Sequence, residues 1–332
     1  MPKYSVIVPV YNRPDEVADL LRSLSQQTFA DFETIIVEDG SPVPCRAVVE
    51  AWMPRLDVHY YFKPNEGRSI ARNHGIERSR GDYLVFFDSD CVIPPDYFSR
   101  LDAELSANPL DCFGGPDAAH SSFTPMQKAI NFAMTSFLTT GGIRGGKVQM
   151  EKFVPRSFNM GYSRSVYDRV GGFREMFSED IDMSTRIRQA GFSIGLIRPS
   201  FVYHKRRIDL RKFWRQVHVF GMSRITLKQL YPDSLKLVHT LPALAVIIGV
   251  VLIALGVFVS PWWLLPLGVY ALLLFIAALI STHSLGVALR AIPAAAIQIT
   301  GYGTGFIRAY ITDIMLGRGR DINREIAMRK GK

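Results

Sequence analysis

Cysteine is scarce in this sequence: Cys45, Cys91 and Cys112 are its only three, and they stand far apart among 332 residues. A disulfide framework needs an even set of cysteines, and a structural zinc site needs ligand pairs a few residues apart. Neither kind of site is indicated, and the low cysteine content is typical of a reducing compartment.

A secretion signal is also missing. Signal peptides carry a basic stretch followed by an apolar run of about 7 to 15 residues, whereas this chain opens Met-Pro-Lys-Tyr-Ser-Val-Ile-Val-Pro. We therefore expect the first domain to stay in the cytoplasm.

Charge is absent from Thr240 to Thr282. Such a stretch is about twice the ~20 apolar residues that cross a bilayer once. Ser260-Pro261 interrupts it, followed by Trp262 and Trp263, which suit a headgroup boundary. The pattern predicts two transmembrane helices over 240–282 after a juxtamembrane basic linker over 226–239. The alternative is a buried hairpin in a soluble protein, whose helices normally keep a polar stripe.

The net charge of the chain is +9, and basic residues gather on both sides of this stretch. The members are Lys205, Arg206, Arg207, Arg211, Lys212 and Arg215 before it, and Arg318, Arg320, Arg324, Arg329, Lys330 and Lys332 after it. The arrangement follows the positive-inside rule and favours membrane lipid or a lipid phosphate as partner over nucleic acid. It predicts a multi-pass protein of the inner (cytoplasmic) membrane whose first domain faces the cytoplasm.

Segment 285–311 is apolar but carries Arg290, Gln298 and Arg308. As a third span it would place the basic tail outside, against the same rule. We therefore predict an interfacial or re-entrant helix and a basic cytoplasmic tail over 285–332.

Short apolar strands alternate with helical patterns in the first 90 residues. Strands are predicted over 4–11, 32–38, 59–62 and 82–87, and helices from Val17 and over 69–79. The alternation indicates an α/β fold with a mostly parallel sheet, in which ligands bind beyond the carboxyl ends of the strands. Asp39, Asp88 and Asp90 all follow strands there.

Asp88 and Asp90 stand one residue apart and repel each other unless a divalent cation neutralises them. Oxygen ligands select Mg²⁺ or Mn²⁺, and a pyrophosphate leaving group needs such an ion. Taken alone, the pair also fits an ordinary loop with two solvated aspartates.

An ordered set of motifs resembles glycosyltransferase family 2. The set comprises Ser5–Asn12, Val37–Ser41, Asn65–Asn73, Gly81–Asp90, Asn159–Arg164, Gly171–Phe173 and Ser178–Asp182. The resemblance covers about residues 4–225 and implies a GT-A (Rossmann-like) catalytic domain over 1–225. It also implies transfer of a sugar from a nucleotide-sugar donor.

By this resemblance, Asp39 hydrogen-bonds the nucleobase, most often uracil, and Pro9, Tyr11 and Asn12 line the same pocket. Arg72 reaches the donor or supports the aspartates. The alternatives are a turn aspartate and a surface arginine.

The resemblance also implies a metal site. Asp88 contacts the ribose or the metal, Asp90 binds the metal, and His204 matches a further ligand of some relatives. Arg207 or Arg206 holds the diphosphate. A lone histidine also fits a structural role.

Glu179 and Asp180 resemble the acidic pair near the acceptor in this family. An attacking hydroxyl has to lose its proton, so Asp180 is the predicted general base and Glu179 its neighbour or an acceptor ligand. This implies inversion at the anomeric carbon. Both residues also suit a helix N-terminus, and the two roles are compatible.

Processive members carry Gln-x-x-Arg-Trp after the acidic pair, which residues 214–224 lack. We therefore expect non-processive transfer, most often from a UDP-sugar, to a hydroxyl of a lipid-linked or glycolipid acceptor. A polyprenyl-phosphate glycosyltransferase and a non-catalytic membrane scaffold are the alternatives. Loop 120–149 is predicted to be an acceptor-side lid, a membrane-facing segment or a variable insertion.

Overall fold

The computed structural model describes residues 1–118, 123–140, 153–204 and 209–318. They form two compact units. Unit 1 holds the described residues 1–118 and 153–204, and unit 2 holds 123–140 and 209–318.

The elements follow one another along the chain. They are β1 (Tyr4–Val10), α1 (Pro14–Leu24), β2 (Phe32–Asp39), α2 (Arg46–Glu50), β3 (Val58–Lys63), α3 (Arg68–Ile76), β4 (Tyr83–Phe87), β5 (Cys91–Val92), α4 (Tyr97–Ala107), β6 (Cys112–Gly114), β7 (Asp117–Ala118), α5 (Pro125–Thr135), α6 (Phe137–Thr140), β8 (Asn159–Ser163), α7 (Arg164–Val170), α8 (Glu179–Gln189), β9 (Ile194–Leu196), β10 (Val202–His204), α9 (Leu210–Leu230), α10 (Leu241–Phe258), α11 (Leu265–Thr282) and α12 (Leu285–Ala309).

Unit 1 is built on a seven-stranded sheet of order β3-β2-β1-β4-β8-β6-β9. Strands β3, β2, β1 and β4 are parallel, while β8 runs antiparallel between β4 and β6. The predicted mostly parallel sheet is confirmed. Alternate residues of β1 enter different apolar clusters, Val6 and Val8 one and Ile7 the other, so both faces of the strand are covered.

A small second sheet of order β5-β10-β7 lies in the same unit. In it β10 pairs antiparallel with β5, so that His204 stands opposite Cys91. This pairing brings the end of unit 1 beside the turn that carries Asp88 and Asp90.

Among the described residues of unit 2, three helical segments are long and apolar enough to cross a membrane: Leu241–Phe258, Pro261–Thr282 and Leu285–Met315. The predicted apolar hairpin over 240–282 is confirmed as two such helices. The predicted boundary at residue 225 falls inside α9, and the compact units divide elsewhere in the chain. The domain boundaries and the interfacial reading of 285–311 therefore stay predictions.

Helices α9 and α12 approach closely because both carry glycine at their contact. A Cβ atom at Gly221 would lie 2.0 Å from the carbonyl oxygen of Tyr302, and one at Gly305 would lie 2.0 Å from that of His218. Small residues of this kind let helix backbones meet, as in membrane helix pairs.

Helix α5 packs in unit 2, although it lies between two strands of unit 1 in sequence. Its apolar side chains share one cluster with α9, α11 and α12. A Thr124–Gln127 capping box fixes its first turn.

Candidate functional site

Two adjoining clefts open at the carboxyl ends of β1, β2 and β4 in unit 1. Their lining includes most of the residues singled out from the sequence. One is lined by Pro9, Tyr11, Arg13, Glu16, Arg68, Arg72, Asp88, Ser89 and Asp90. The other is lined by Pro9, Val10, Tyr11, Asp39 and Arg68. This is the edge at which parallel α/β sheets bind ligands.

Asp39 ends β2 and is almost completely buried. Its Oδ1 accepts hydrogen bonds from Lys63 Nζ (2.8 Å) and the Glu66 amide (3.0 Å), and its Oδ2 accepts one from the Gly67 amide (2.9 Å). Burial opposes the charge on Lys63, yet the bonds to Asp39 and Glu66 raise its pKa. Asp39 therefore fixes the chain before α3 as well as lining a cleft.

Asn12 follows β1 with a left-handed backbone, φ 55°, and its amide donates to Ser41 Oγ at 2.6 Å. Ser178, directly before α8, has φ 63°. Such conformations cost about 1–3 kcal/mol in non-glycine residues and gather at functional sites. Both strained residues of the described part of unit 1 stand beside predicted site residues.

Arg72 joins two carboxylates that are distant in sequence. Its Nη1 donates to Glu179 Oε1 at 2.9 Å and its Nη2 to Asp88 Oδ1 at 2.8 Å. Arg72 is 1% exposed, Glu179 2% and Asp88 36%. The guanidinium also lies over the Phe173 ring, 5.5 Å from its centroid. Arg72 is thus a buried bridge from the end of β4 to the start of α8, and a surface role is excluded.

Arg68 lies one turn earlier on α3, and the sequence reasoning did not single it out. Its Nη2 donates to Glu179 Oε2 at 2.8 Å, and its side chain lines both clefts. Although burial opposes the charge, Glu179, Asp88 and Asp180 raise the pKa of Arg68. The signal for it was its place inside the Asn65–Asn73 motif.

Asp90 and His204 are brought together by the β5–β10 pairing. His204 Nε2 lies 3.0 Å from Asp90 Oδ1, and the imidazole stacks on Phe158 with ring centroids 4.6 Å apart. Cys91 completes a group whose ligand atoms lie within 4.8 Å of one another. Burial, with smaller effects from Asp90 and Asp88, raises the pKa of the Cys91 thiol well above its usual value. This shift favours the protonated thiol.

Asp180 lies in the first turn of α8. Its Oδ2 accepts from Arg156 Nη1 at 3.3 Å, and its Oδ1 lies 2.9 Å from the Ile181 amide. Asp182 is fully buried between Arg174 and Arg186 and has a structural role. Arg206 and Arg207, predicted to hold a diphosphate, lie outside the described residues.

The family model described as Glycosyl transferase family 2 matches residues 5–171, about half of the chain. The uncharacterized glycosyltransferase EpsJ of Bacillus subtilis is 31% identical over 54% of this chain and 53% of its own length. The glycosyltransferase AglE of Haloferax volcanii is 25% identical over 71% of this chain and 80% of its own. The chain thus spans about half of EpsJ.

Among solved structures, the mannosyltransferase PcManGT of Pyrobaculum calidifontis, in complex with GDP-Man and Mn²⁺, matches with a TM-score of 0.55. Its sequence is 17% identical, and the match covers 94% of this chain and 87% of that chain. The likeness establishes a shared fold.

Proposed function

Because the chain belongs to glycosyl transferase family 2 and is a glycosyltransferase, we propose an inverting, non-processive transfer at a membrane. A sugar passes from a nucleotide-sugar, preferably a UDP-sugar, to a hydroxyl of a lipid-linked acceptor. The observation that carries the proposal is the Asp88–Arg72–Glu179 bridge. It ties the strand end of the donor cleft to the helix that bears Asp180.

The donor cleft suits a nucleoside diphosphate. Pro9 and Tyr11 line both clefts and offer an apolar wall for a base, and the almost completely buried Asp39 lines one of them. Arg68 reaches both clefts and offers a cation to a diphosphate. PcManGT, which shares the fold, was solved with a nucleotide-sugar.

The residues near Asp90 fit a divalent cation. Asp90 and His204 offer a carboxylate and an imidazole, donor types that Mn²⁺ accepts, and Asp88, bonded to Arg72 through Oδ1, is the third ligand of this proposal. Asp90, His204 and Asp88 would hold the ion, which when bound offsets the negative charge on the diphosphate leaving group.

Asp180 serves as the general base in this proposal. It accepts the proton of the acceptor hydroxyl as the oxygen attacks the anomeric carbon, and the diphosphate leaves from the opposite face. Arg72 and Arg68 hold Glu179, the neighbouring residue, and so fix the first turn of α8. One displacement of this kind inverts the anomeric centre.

The proposed membrane attachment depends on α10 and α11, whose apolar stretches are only 11% buried within the protein. We place α12 in the interface plane. Two spans return the chain to the side on which α10 began, so Leu241 and Thr282 share that side. Yet Gly303 of α12 packs against Pro242 and Val246 at the start of α10. A third span would carry residue 303 about 27 Å away, toward the opposite face.

The test of the reaction uses the detergent-purified full chain, a panel of nucleotide-sugars and a membrane lipid extract, with nucleoside diphosphate release as the readout. Asp180→Asn is expected to lower turnover about 10²- to 10⁴-fold, because the hydroxyl loses its base. The exposed Asp168→Asn on α7 is the matched control and should keep its activity.

A polyprenyl-phosphate acceptor is already ionised and needs no base. Unchanged turnover of Asp180→Asn would therefore overturn the hydroxyl acceptor. The anomeric configuration of the product, determined by NMR, tests inversion separately.

A further inference from the structure

Several hydroxyl and carbonyl groups of helices α5 and α6 are hydrogen-bonded inside the protein, as a membrane helix requires. Tyr270 of α11 donates its hydroxyl to the Leu138 carbonyl oxygen at 2.7 Å. The hydroxyls of Thr135, Thr139 and Thr140 all donate to backbone carbonyls of the same segment. This is what a segment surrounded by hydrocarbon requires.

The hydrogen bond between Tyr270 and Leu138 indicates how deep α6 lies in the bilayer. Tyr270 lies near the middle of the candidate span Pro261–Thr282. Twelve residues separate it from Thr282, about 18 Å along a helix axis, against a hydrocarbon core of about 30 Å. A backbone group within reach of the Tyr270 hydroxyl therefore lies inside the core if α11 spans it.

The charge distribution of the segment agrees with that depth. Between 123 and 140 Lys128 is the only charged residue, and it lies near the start of α5. From there to the end of α5 at Thr135 the helix rises about 10 Å. A lysine at the shallow end can extend its ammonium to the headgroups while its stem stays in apolar surroundings.

The exposed surface of α6 is apolar and continues that of α11. Phe137 is 62% exposed and Leu138 39%, and Val269 and Leu273 beside Tyr270 are about half exposed. Behind them, Ala129, Ile130 and Met134 of α5 pack in the cluster that holds Leu274 and Ala278 of α11.

We propose that α5 and α6 form a re-entrant membrane element that presents Phe137 and Leu138 to the acyl chains of the bilayer. The inference rests on the proposed membrane insertion of α10 and α11. It assigns a lipid surface to a segment that lies, in sequence, between strands β7 and β8 of unit 1.

The test places one nitroxide label at a time on the full chain in phosphatidylcholine vesicles. Phe137→Cys reports on α6, Val269→Cys on the span, and Met53→Cys on an exposed site in unit 1. Cys45, Cys91 and Cys112 are buried, so the labelling is confined to the new cysteine under native conditions. Leu138→Cys repeats the test if a label at 137 disturbs folding.

Collisions with oxygen and with a water-soluble nickel chelate are measured by EPR. For the label at residue 137, we expect the ratio of its collision rate with oxygen to its collision rate with the nickel chelate to match the ratio at residue 269. It should exceed the ratio at residue 53 several-fold. A ratio at 137 like that at 53, with 269 in the bilayer, overturns the re-entrant element alone. Equal low ratios at 137, 269 and 53 overturn membrane insertion itself, and the inference with it.

Discussion

The two units of this member of glycosyl transferase family 2 organise their interiors in opposite ways. The described residues of unit 1 include seven buried charged side chains: Glu33, Glu38, Asp39, Lys63, Arg72, Glu179 and Asp182. In the described part of unit 2 no aspartate, glutamate, lysine or arginine is buried. Alanine and glycine fill the contacts of α12 instead. Unit 1 thus fixes positions through paired charges, which are costly to separate, and unit 2 fixes them through close backbone contact.

The largest effect is expected when the buried ion pairs of unit 1 are removed by a substitution at Arg72. Arg72→Met leaves Glu179 and Asp88 without their shared cation, one of them fully buried. We expect the free energy of unfolding to fall by about 3–5 kcal/mol and turnover to be lost. Chemical denaturation followed by tryptophan fluorescence measures the first quantity.

Arg78→Met, just after the same helix, is the matched control. Arg78 is partly exposed and lies 3.6 Å from the exposed Glu77. Its removal should change the free energy of unfolding by about 0.5 kcal/mol or less. Equal stability of the two variants would show that the bridge does not hold unit 1 together.

A smaller effect is expected at the glycine contacts of unit 2. Gly305→Ala puts a methyl group against the His218 carbonyl oxygen and should cost about 1–3 kcal/mol. Gly249→Ala on α10 meets nothing within 4 Å and should stabilise its helix by about 0.5–1 kcal/mol. The free energies of unfolding of the two variants are measured in mixed micelles. If both substitutions change this free energy in the same direction, close packing of α9 on α12 is contradicted.

Arg68 allows an exposed and a buried arginine of unit 1 to be compared. It binds Glu179, as Arg72 does, but its side chain is 55% exposed. Arg68→Met should change stability by less than about 1 kcal/mol. Affinity for a nucleoside diphosphate should fall, because the cation that lines both clefts is gone. Arg68→Lys keeps the charge and should keep part of the affinity. Unchanged calorimetric affinity of Arg68→Met would remove Arg68 from the donor site.

The sequence predicted unit 1 well wherever local patterns decide the structure. The first four strands and helices α1 and α3 lie close to their predicted positions, whereas α2 was not predicted, and Asp39 and Asp88 do stand at strand ends. Glu179 and Arg72 are 107 residues apart, so their ion pair follows from tertiary structure that no local pattern encodes. The same holds for His204, which the β5–β10 pairing brings to Asp90.

The sequence was less informative about the chain's division into units. Apolar runs reveal α10 and α11, because a membrane helix is apolar on all sides. Helix α5 has an ordinary composition and lies between strands, so nothing local indicates its packing on α11 and α12. The segment from residue 285 was predicted to be an interfacial or re-entrant helix, and a helix does extend from Leu285 to Ala309.

The most direct test of the donor site is calorimetric titration of the detergent-purified chain with UDP, GDP and dTDP, with and without Mn²⁺. We predict tight UDP binding that requires Mn²⁺ and disappears in Asp90→Ala. Absence of Mn²⁺-dependent binding for all three nucleotides would contradict a metal-assisted donor site at Asp88, Asp90 and His204.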